Sequence, residues 1–497
     1  MVSPEAHAAV HTRVAKEEDE GGHRQKHSLP TKGKTDMAQK RTFDKLAIDD
    51  VNQFVFGSCP NPVTTKQGIV LGGGDVIPEL NFTLPTMELL PDTVDKAYTI
   101  YRNIAHDALE RASQLNIDGV QLEYETTVEF TLNPDWGIKV CQILLEEMEN
   151  AKAQYGLKSA LRMTVNDNRE FVRPPEMRSG ENWDKMQKLI AESCKSGADF
   201  ISIESTGGKE VSDDAIIRGD LEKLVFAVGV MGARDMEFLW DHIVELCDAH
   251  GALPAGDSSC GFANTAMVLA EKGFISRMFA AVARVALVPR ALVAFERGAV
   301  GPSKDCEYAG PYLKAITGSP IAMEGRTCAG AHLSQVGNIS GAVADLWSNE
   351  SIQYIRLLSD MAPTVHMEQL IYDCRLYNTR KDLADKLFYR DLLVDSDCYN
   401  DPQAWVLRPD VVIRIANEIV KETDPLLRTK AACAATIAEL RSAIEAGSLK
   451  ATRQDEKWLK RMEKSLAGIP DNADEFWTKV KPSLDLNTFR AGDYLLD

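Results

Sequence analysis

Glu204, Cys260 and Cys306 are the residues whose types and spacing could do chemistry together in this chain. Each follows a short apolar run and stands in a turn of small polar residues: Glu204 in DFISIESTGGKEV, Cys260 in AGDSSCGFANTAM and Cys306 in AVGPSKDCEYAG. They are one to two strand–helix units apart, wider than the close ligand pairs of a structural zinc site. Three ligands converging from three loops leave one coordination position open, which is the catalytic pattern. Two thiolates and one carboxylate suit Zn²⁺ better than Mg²⁺, because soft sulfur selects against hard cations. Residue types alone leave the set open, since a chain with 10 cysteines and 74 acidic residues can supply such a trio by chance. Cys141, Cys194, Cys247 and Cys433 fall in helical stretches, where a buried thiol behaves as a small hydrophobe. Acids at the predicted strand ends are Glu123, Glu125, Asp257 and Glu324. Each could protonate a leaving group or stand as a solvated or salt-bridged residue. Asp257, close before Cys260, could instead orient a metal ligand. Asn264 and Lys209 could equally cap a helix or face solvent.

The elements that must position these residues alternate. Short apolar runs begin at Gly119 (GVQLEYE), Ser159 (SALRMTV), Asp199 (DFISIES), Leu224 (LVFAVGV), Gly251 (GALPAGD), Ala291 (ALVAFERG) and Ile321 (IAMEGRT), with a weaker run at Ala362 (APTVHME). Between several of them lie amphipathic helical segments that end at Gly156, Gly197 and Gly251, suitable C-caps. Alternating strands and helices predict an α/β chain built as a (β/α)8 TIM barrel, with an open doubly wound sheet as the alternative. The barrel is preferred because polar and acidic residues recur at strand ends, where a barrel gathers its loops at one mouth.

The expected organisation is a disordered tail or spurious extension over 1–40, N-terminal cap loops and a helix over 41–115, the barrel over 116–390 and a helical C-terminal extension over 391–497. The tail carries almost no large apolar residues and cannot offset its own ordering entropy. Met37, in MAQKRTFDKLA, is a natural start; peptides from before it in the native protein would refute that hypothesis. The Gly- and Pro-rich stretch from Ser58 to Pro85 is expected as loops that line the barrel mouth or cap its bottom, and GGG at Gly72–Gly74 as a backbone turn, since no GK[ST] follows.

A net charge of −18 argues against a nucleic-acid partner, which needs a basic face. No apolar run reads as long enough to span a bilayer and no signal peptide is evident, so a cytoplasmic location without a membrane partner is expected. In a reducing compartment the cysteines should be mostly free.

The blocks ISIESTGGKEV, AGDSSCGFANTAM, VAFERGAVGPSKDCEY, KAITGSPIAMEGRTCAGAH, LWSNESIQY and DPQAW resemble the methanol:corrinoid methyltransferase family, from about Met37 to the end of the chain. The resemblance implies a (β/α)8 barrel with a helical extension, and one zinc ion per chain held by Glu204, Cys260 and Cys306. It also implies methanol as substrate and a corrinoid carried by a partner protein, with a homodimer inside a larger complex. Zinc would act as a Lewis acid on the methanol oxygen, and Co(I) would attack the methyl carbon in line. A carboxylate in place of a third thiolate should leave the metal more electron-poor, which suits a neutral alcohol. The proton donor is then sought among Asp257, Glu123 and Glu125. Three alternatives remain: a corrinoid-to-thiol methyltransferase, which would use a His-x-Cys ligand pair absent here; a Schiff-base barrel lyase, disfavoured because Lys209 and Lys304 read as loop residues; and a non-catalytic scaffold that binds a corrinoid protein.

Overall fold

The computed structural model describes residues 40–82, 84–85, 87–305, 309–323 and 362–496. The tail before Lys40, Cys306 and Glu324 lie outside these residues. The described residues belong to one compact unit.

The framework is a set of parallel strands taken in chain order. Strands β3 (Glu79–Phe82), β4 (Gly119–Glu125), β5 (Lys158–Asn166), β6 (Phe200–Glu204) and β7 (Leu253–Asp257) form one sheet in that order, each pair parallel. A second parallel pair, β8 (Ser303–Asp305) with β9 (Ile321–Met323), continues it. The join runs through the amides of Val300 and Gly301, which donate to the Pro254 and Ala255 carbonyls of β7. Sequential parallel strands with helical crossovers are the arrangement of an α/β TIM barrel.

The crossovers begin with α1 (Val94–Gln114), the short α2 (Val128–Leu132), α3 (Pro134–Tyr155) and α4 (Glu181–Ser196). After β6 come α5 (Lys209–Arg218), α6 (Leu221–Phe226) and α7 (Ala233–His250); α8 (Cys260–Glu271), α9 (Arg277–Ala286) and α10 (Val288–Arg297) follow β7, and α11 (Gly310–Thr317) lies between β8 and β9. Gly156, Gly197 and Gly251 close α3, α4 and α7 in the left-handed conformation, as expected of C-caps. Beyond β9 the described chain is helical: α12 (Ala362–Asn378), α13 (Leu383–Asp397), α14 (Pro402–Trp405), α15 (Pro409–Ile419), α16 (Pro425–Glu445), α17 (Arg453–Ala467) and α18 (Ala473–Val480). The helices from α14 onward are the expected helical C-terminal extension, while α12 and the first half of α13 fall within the 116–390 stretch expected as barrel.

Three expected strands are helices instead. LVFAVGV lies in α6 and the π-helical turn Ala227–Gly232, ALVAFERG in α10, and APTVHME in α12. A continuous apolar run does not by its period distinguish a buried strand from a helix buried on all sides, and Val225, Phe226, Val228, Leu292 and Phe295 are at most 1% exposed. Two strands of the barrel sheet were hidden in stretches read as loops. β3 has four residues and pairs with β4, so the barrel's first strand lies within the 41–115 stretch expected to be a cap. β8 has three residues and is polar in composition.

α9 and α10 run on as a 21-residue helix, Arg277–Arg297, long and apolar enough to cross a membrane, contrary to the reading that no run was. Its apolar 18-residue stretch is wholly buried in protein, the environment of a core helix.

The Gly-rich stretch after Ser58 is a bottom cap rather than a mouth loop. β1 (Ser58–Thr64) and β2 (Val70–Gly73) form an antiparallel hairpin whose Val63, Ile69 and Leu71 pack on Ala160, Phe200 and Ala255 near the beginnings of β5, β6 and β7. Lys66 Nζ ties it down by donating to the Gly197 and Ala198 carbonyls.

Candidate active site

The register of the sheet gathers polar residues at the C-terminal ends of the strands. Asn81 stands opposite Glu123, Glu125 opposite Thr164, Asn166 opposite Glu204 and Ile203 opposite Asp257. Beneath them the barrel is filled by a buried ionic layer. Arg162, on β5, donates through Nε to Glu79 Oε1 at 2.6 Å and through Nη1 to Ser202 Oγ, and Gln121 donates to the same Glu79 oxygen. Paired charges can be buried here because each meets both a countercharge and further hydrogen-bond partners.

Above this floor Lys304 reaches across the barrel. Its Nζ lies 2.6 Å from Glu125 Oε2 and 3.2 Å from Glu123 Oε1, and Asn81 Nδ2 donates to the same Glu125 oxygen. Lys304 is therefore a buried strand residue, 3% exposed, and not the loop residue its sequence context suggested. Lys209, the other lysine, is the first residue of α5 and pairs with Asp213 at 2.6 Å.

Glu204 ends β6, and Cys260 opens α8 after β7. A methyl group placed on Gly261 would come within 2.9 Å of Glu204 Oε1, so the carboxylate lies directly against the start of α8, where it accepts from the Gly261 amide. Burial, reinforced by the negative charge of Glu125, pushes the Glu204 pKa up to about 7, against the opposing pull of Lys304 and the Gly261 amide. Cys260 is buried and its sulfur is joined in a disulfide, whereas Cys59, Cys141, Cys194, Cys247, Cys374, Cys398 and Cys433 are free. Among the described residues no three His, Cys, Asp or Glu side chains are grouped to hold a metal. The third member of the expected set, Cys306, lies outside those residues, as does the acid candidate Glu324.

The three acid candidates fall into two environments. Glu123 and Glu125 share the Lys304 ammonium, with Glu123 fully buried and Glu125 partly open. Asp257 is locked on both oxygens. Oδ1 accepts from the Ser205 amide at 3.1 Å, and Oδ2 accepts from Ser205 Oγ at 3.0 Å and from Arg290 Nη1 at 2.8 Å. Burial raises its pKa to about 6 even with Arg290 opposing. Arg290 had one signal in the sequence, a lone charge inside the apolar run VALVPRALVAF.

On α5, close after Glu204, burial pushes Glu210 up to about 7. A raised carboxylate pKa means that the native state holds more protons than the unfolded chain between the two pKa values, so stability is lost as pH rises through that window. Glu210→Gln is therefore expected to be more stable than the wild type at pH 8 and to show a shallower decline from pH 6 to 8 in urea unfolding. An unchanged profile would remove Glu210 as a contributor.

Comparison with known proteins gives one answer. The family model described as methanol-cobalamin methyltransferase B subunit matches residues 40–495. The methanol–corrinoid protein co-methyltransferase of Methanosarcina barkeri is 36% identical over 473 residues, covering 92% of this chain and 100% of that protein. A chain from the crystal structure of the methanol:cobalamin methyltransferase complex of Methanosarcina barkeri superposes with a TM-score of 0.83 at 34% identity, over 91% of this chain and 99% of the other. The parallel strand order, the acidic mouth and a match running nearly end to end agree, and the chain belongs to the methanol-cobalamin methyltransferase B subunit family.

Proposed function

We propose that this chain transfers the methyl group of methanol to the Co(I) corrinoid of a partner protein, at a zinc site formed by Glu204, Cys260 and Cys306. The observation that carries the reading is the contact of the Glu204 carboxylate with the Gly261 amide, which puts an acid from β6 against the cysteine that opens α8. The donor chemistry fits the metal. A carboxylate buried beside Glu125 and Asp257 gains from a cation, and the Cys260 sulfur, once reduced, is a soft donor of the kind zinc takes. Zinc, when bound, supplies Lewis acidity toward the alcohol oxygen.

The rest is done by side chains of the chain itself. Arg290 and Ser205 fix Asp257, which joins the loops after β6 and β7; Asp257 is thereby a positioning residue rather than the proton donor. Glu125, partly open and bonded by Lys304 and Asn81, is the group of this cluster that can meet substrate and accept a hydrogen bond from its hydroxyl. Lys304 keeps Glu123 and Glu125 together and offsets part of their combined negative charge.

The deciding experiment starts from reduced, purified protein. Metal analysis should find one zinc per chain, and mixing with methanol and a reduced corrinoid protein should give the visible spectrum of the methylated corrinoid. Absence of stoichiometric zinc, or methylation independent of methanol, would refute the proposal. Glu204→Gln is expected to lower kcat on the order of 10²-fold while lowering zinc affinity less, because the carboxylate tunes the metal as well as holding it. Equal losses would count against tuning. The same reading includes a homodimer within a larger complex, for which sedimentation of the purified chain is the test.

A further inference from the structure

The loop Ser205–Gly208, directly after Glu204, is tied from three sides by groups taken out of water. Asp257 and Arg290 hold Ser205, with Arg290 Nη2 donating to the Ser205 carbonyl at 3.0 Å. Asp167, at the end of β5, accepts from both the amide and the hydroxyl of Thr206 at 2.9 and 3.0 Å. Asp167 is in turn paired through Arg169 with Asp235, and all three side chains are 0% exposed. The third tie comes from the far end of the chain. Tyr494 Oη accepts from the Gly208 amide at 3.0 Å, across 286 residues of sequence.

Gly208 is where the loop becomes α5, and it cannot shift freely. At φ +84 its missing side chain faces the Ala227 carbonyl at 2.7 Å, while a side chain on Gly207 would meet the Asp235 carboxylate at 2.2 Å. Lys209, next in sequence, has its Cε within 3.7 Å of a methyl built on Gly261, beside Cys260. The position of Gly208 thus sets both the loop after Glu204 and the approach of α5 to the start of α8.

Tyr494 is itself clamped. Arg234 Nη1 donates to the Tyr494 and Leu495 carbonyls at 3.1 and 2.8 Å, Asp493 accepts from the Met177 amide, and the ring is edge-on to Phe489. A polar hydroxyl buried this deeply and spent on one amide of the site loop is more than anchoring a chain end requires, because Arg234, Asp493 and the ring contacts already do that.

We propose that Tyr494 is a positioning residue of the metal site, with its phenol oxygen fixing the Gly208 amide so that Glu204 and Cys260 meet the metal in register. The inference rests on the reading of Glu204 as a zinc ligand.

Tyr494→Phe keeps the ring and removes only the acceptor. In reduced, zinc-loaded protein it is expected to surrender zinc to a chromogenic chelator about tenfold faster than the wild type. Its kcat should fall by a similar factor, with KM for methanol and the melting temperature close to wild type. Arg234→Gln, which loosens Tyr494 without touching the loop, should shift zinc release in the same direction and by less. Arg490→Gln removes only the half-exposed ion pair of the same segment with Glu176 and should release zinc at the wild-type rate. The proposal is overturned if Tyr494→Phe holds zinc as the wild type does, or if Arg490→Gln releases it as fast as Tyr494→Phe. A wild-type protein that takes up no zinc overturns the metal reading and this inference with it; zinc-loaded wild type with an indifferent Tyr494→Phe overturns the inference alone.

Discussion

Cys260→Ala is expected to fold, to retain no zinc and to methylate a corrinoid protein from methanol at least about 10³-fold more slowly than the wild type. Cys260 is the first residue of α8 and 5% exposed, so its side chain is buried at the start of that helix. Alanine keeps the Cβ and favours the helix, which leaves the barrel little to lose. What goes is one of three proposed protein ligands, and two ligands hold zinc far more weakly than three. The comparison must be made on reduced protein, because in the disulfide the Cys260 sulfur is not available to a metal. Cys194→Ala, a free buried thiol of α4, should keep both zinc and activity. Metal analysis, circular dichroism and the corrinoid spectrum together check the expectation; a Cys260→Ala protein with normal zinc and normal methylation would remove the assignment.

The largest effect on stability is expected at Arg169. Its guanidinium bonds both oxygens of Asp167 at 2.7 Å and both oxygens of Asp235 at 2.9 Å, and it also donates to the Met177 carbonyl. Burial alone would raise Asp167, yet Arg169 and the Thr206 donors outweigh it and hold this carboxyl below its usual range; Asp235, with fewer donors, is pushed above it. Arg169→Met fills similar space but strands two carboxylates in the core. It should cost about 3–5 kcal/mol in urea unfolding at pH 7. Removing the exposed pair Lys40–Asp241 should cost less than about 1 kcal/mol. A loss at Arg169 no larger than that of the surface pair would mean that the buried network relaxes or admits water.

The parts of the barrel legible in the sequence were those with a clean change of pattern. β4, β5, β6 and β7 each show an apolar run closed by a polar residue, and Glu204 and Asp257 stand at those ends. β3 and β8 were not legible, because three or four residues cannot express a period and both lie beside Pro and Gly. Missing β8 displaced Lys304 from the barrel interior to a loop, and with it the pairing that separates Glu123 and Glu125 from Asp257. Arginines inside apolar runs carried a signal that was not used: Arg162 in SALRMTV and Arg290 in VALVPRALVAF are buried and ion-paired, as a buried charge must be. Tyr494 had no local signal, since its role depends on a contact with the other end of the fold.

The π-helical turn Ala227–Gly232 joins α6 to α7 without leaving helical backbone angles on either side. Such a turn is one residue wider than an α-turn, so it offsets the phase of everything after it by about 100° relative to an unbroken helix. Upstream, Leu221, Leu224 and Val225 point into the core; downstream, Met236, Leu239 and Trp240 do so as well, while Asp235 faces Arg169 and the Gly207 backbone. A single uninterrupted helix would have to choose between these two alignments. The wide turn acts as a rotational spacer that lets one helix keep both a core face and a site-facing carboxylate.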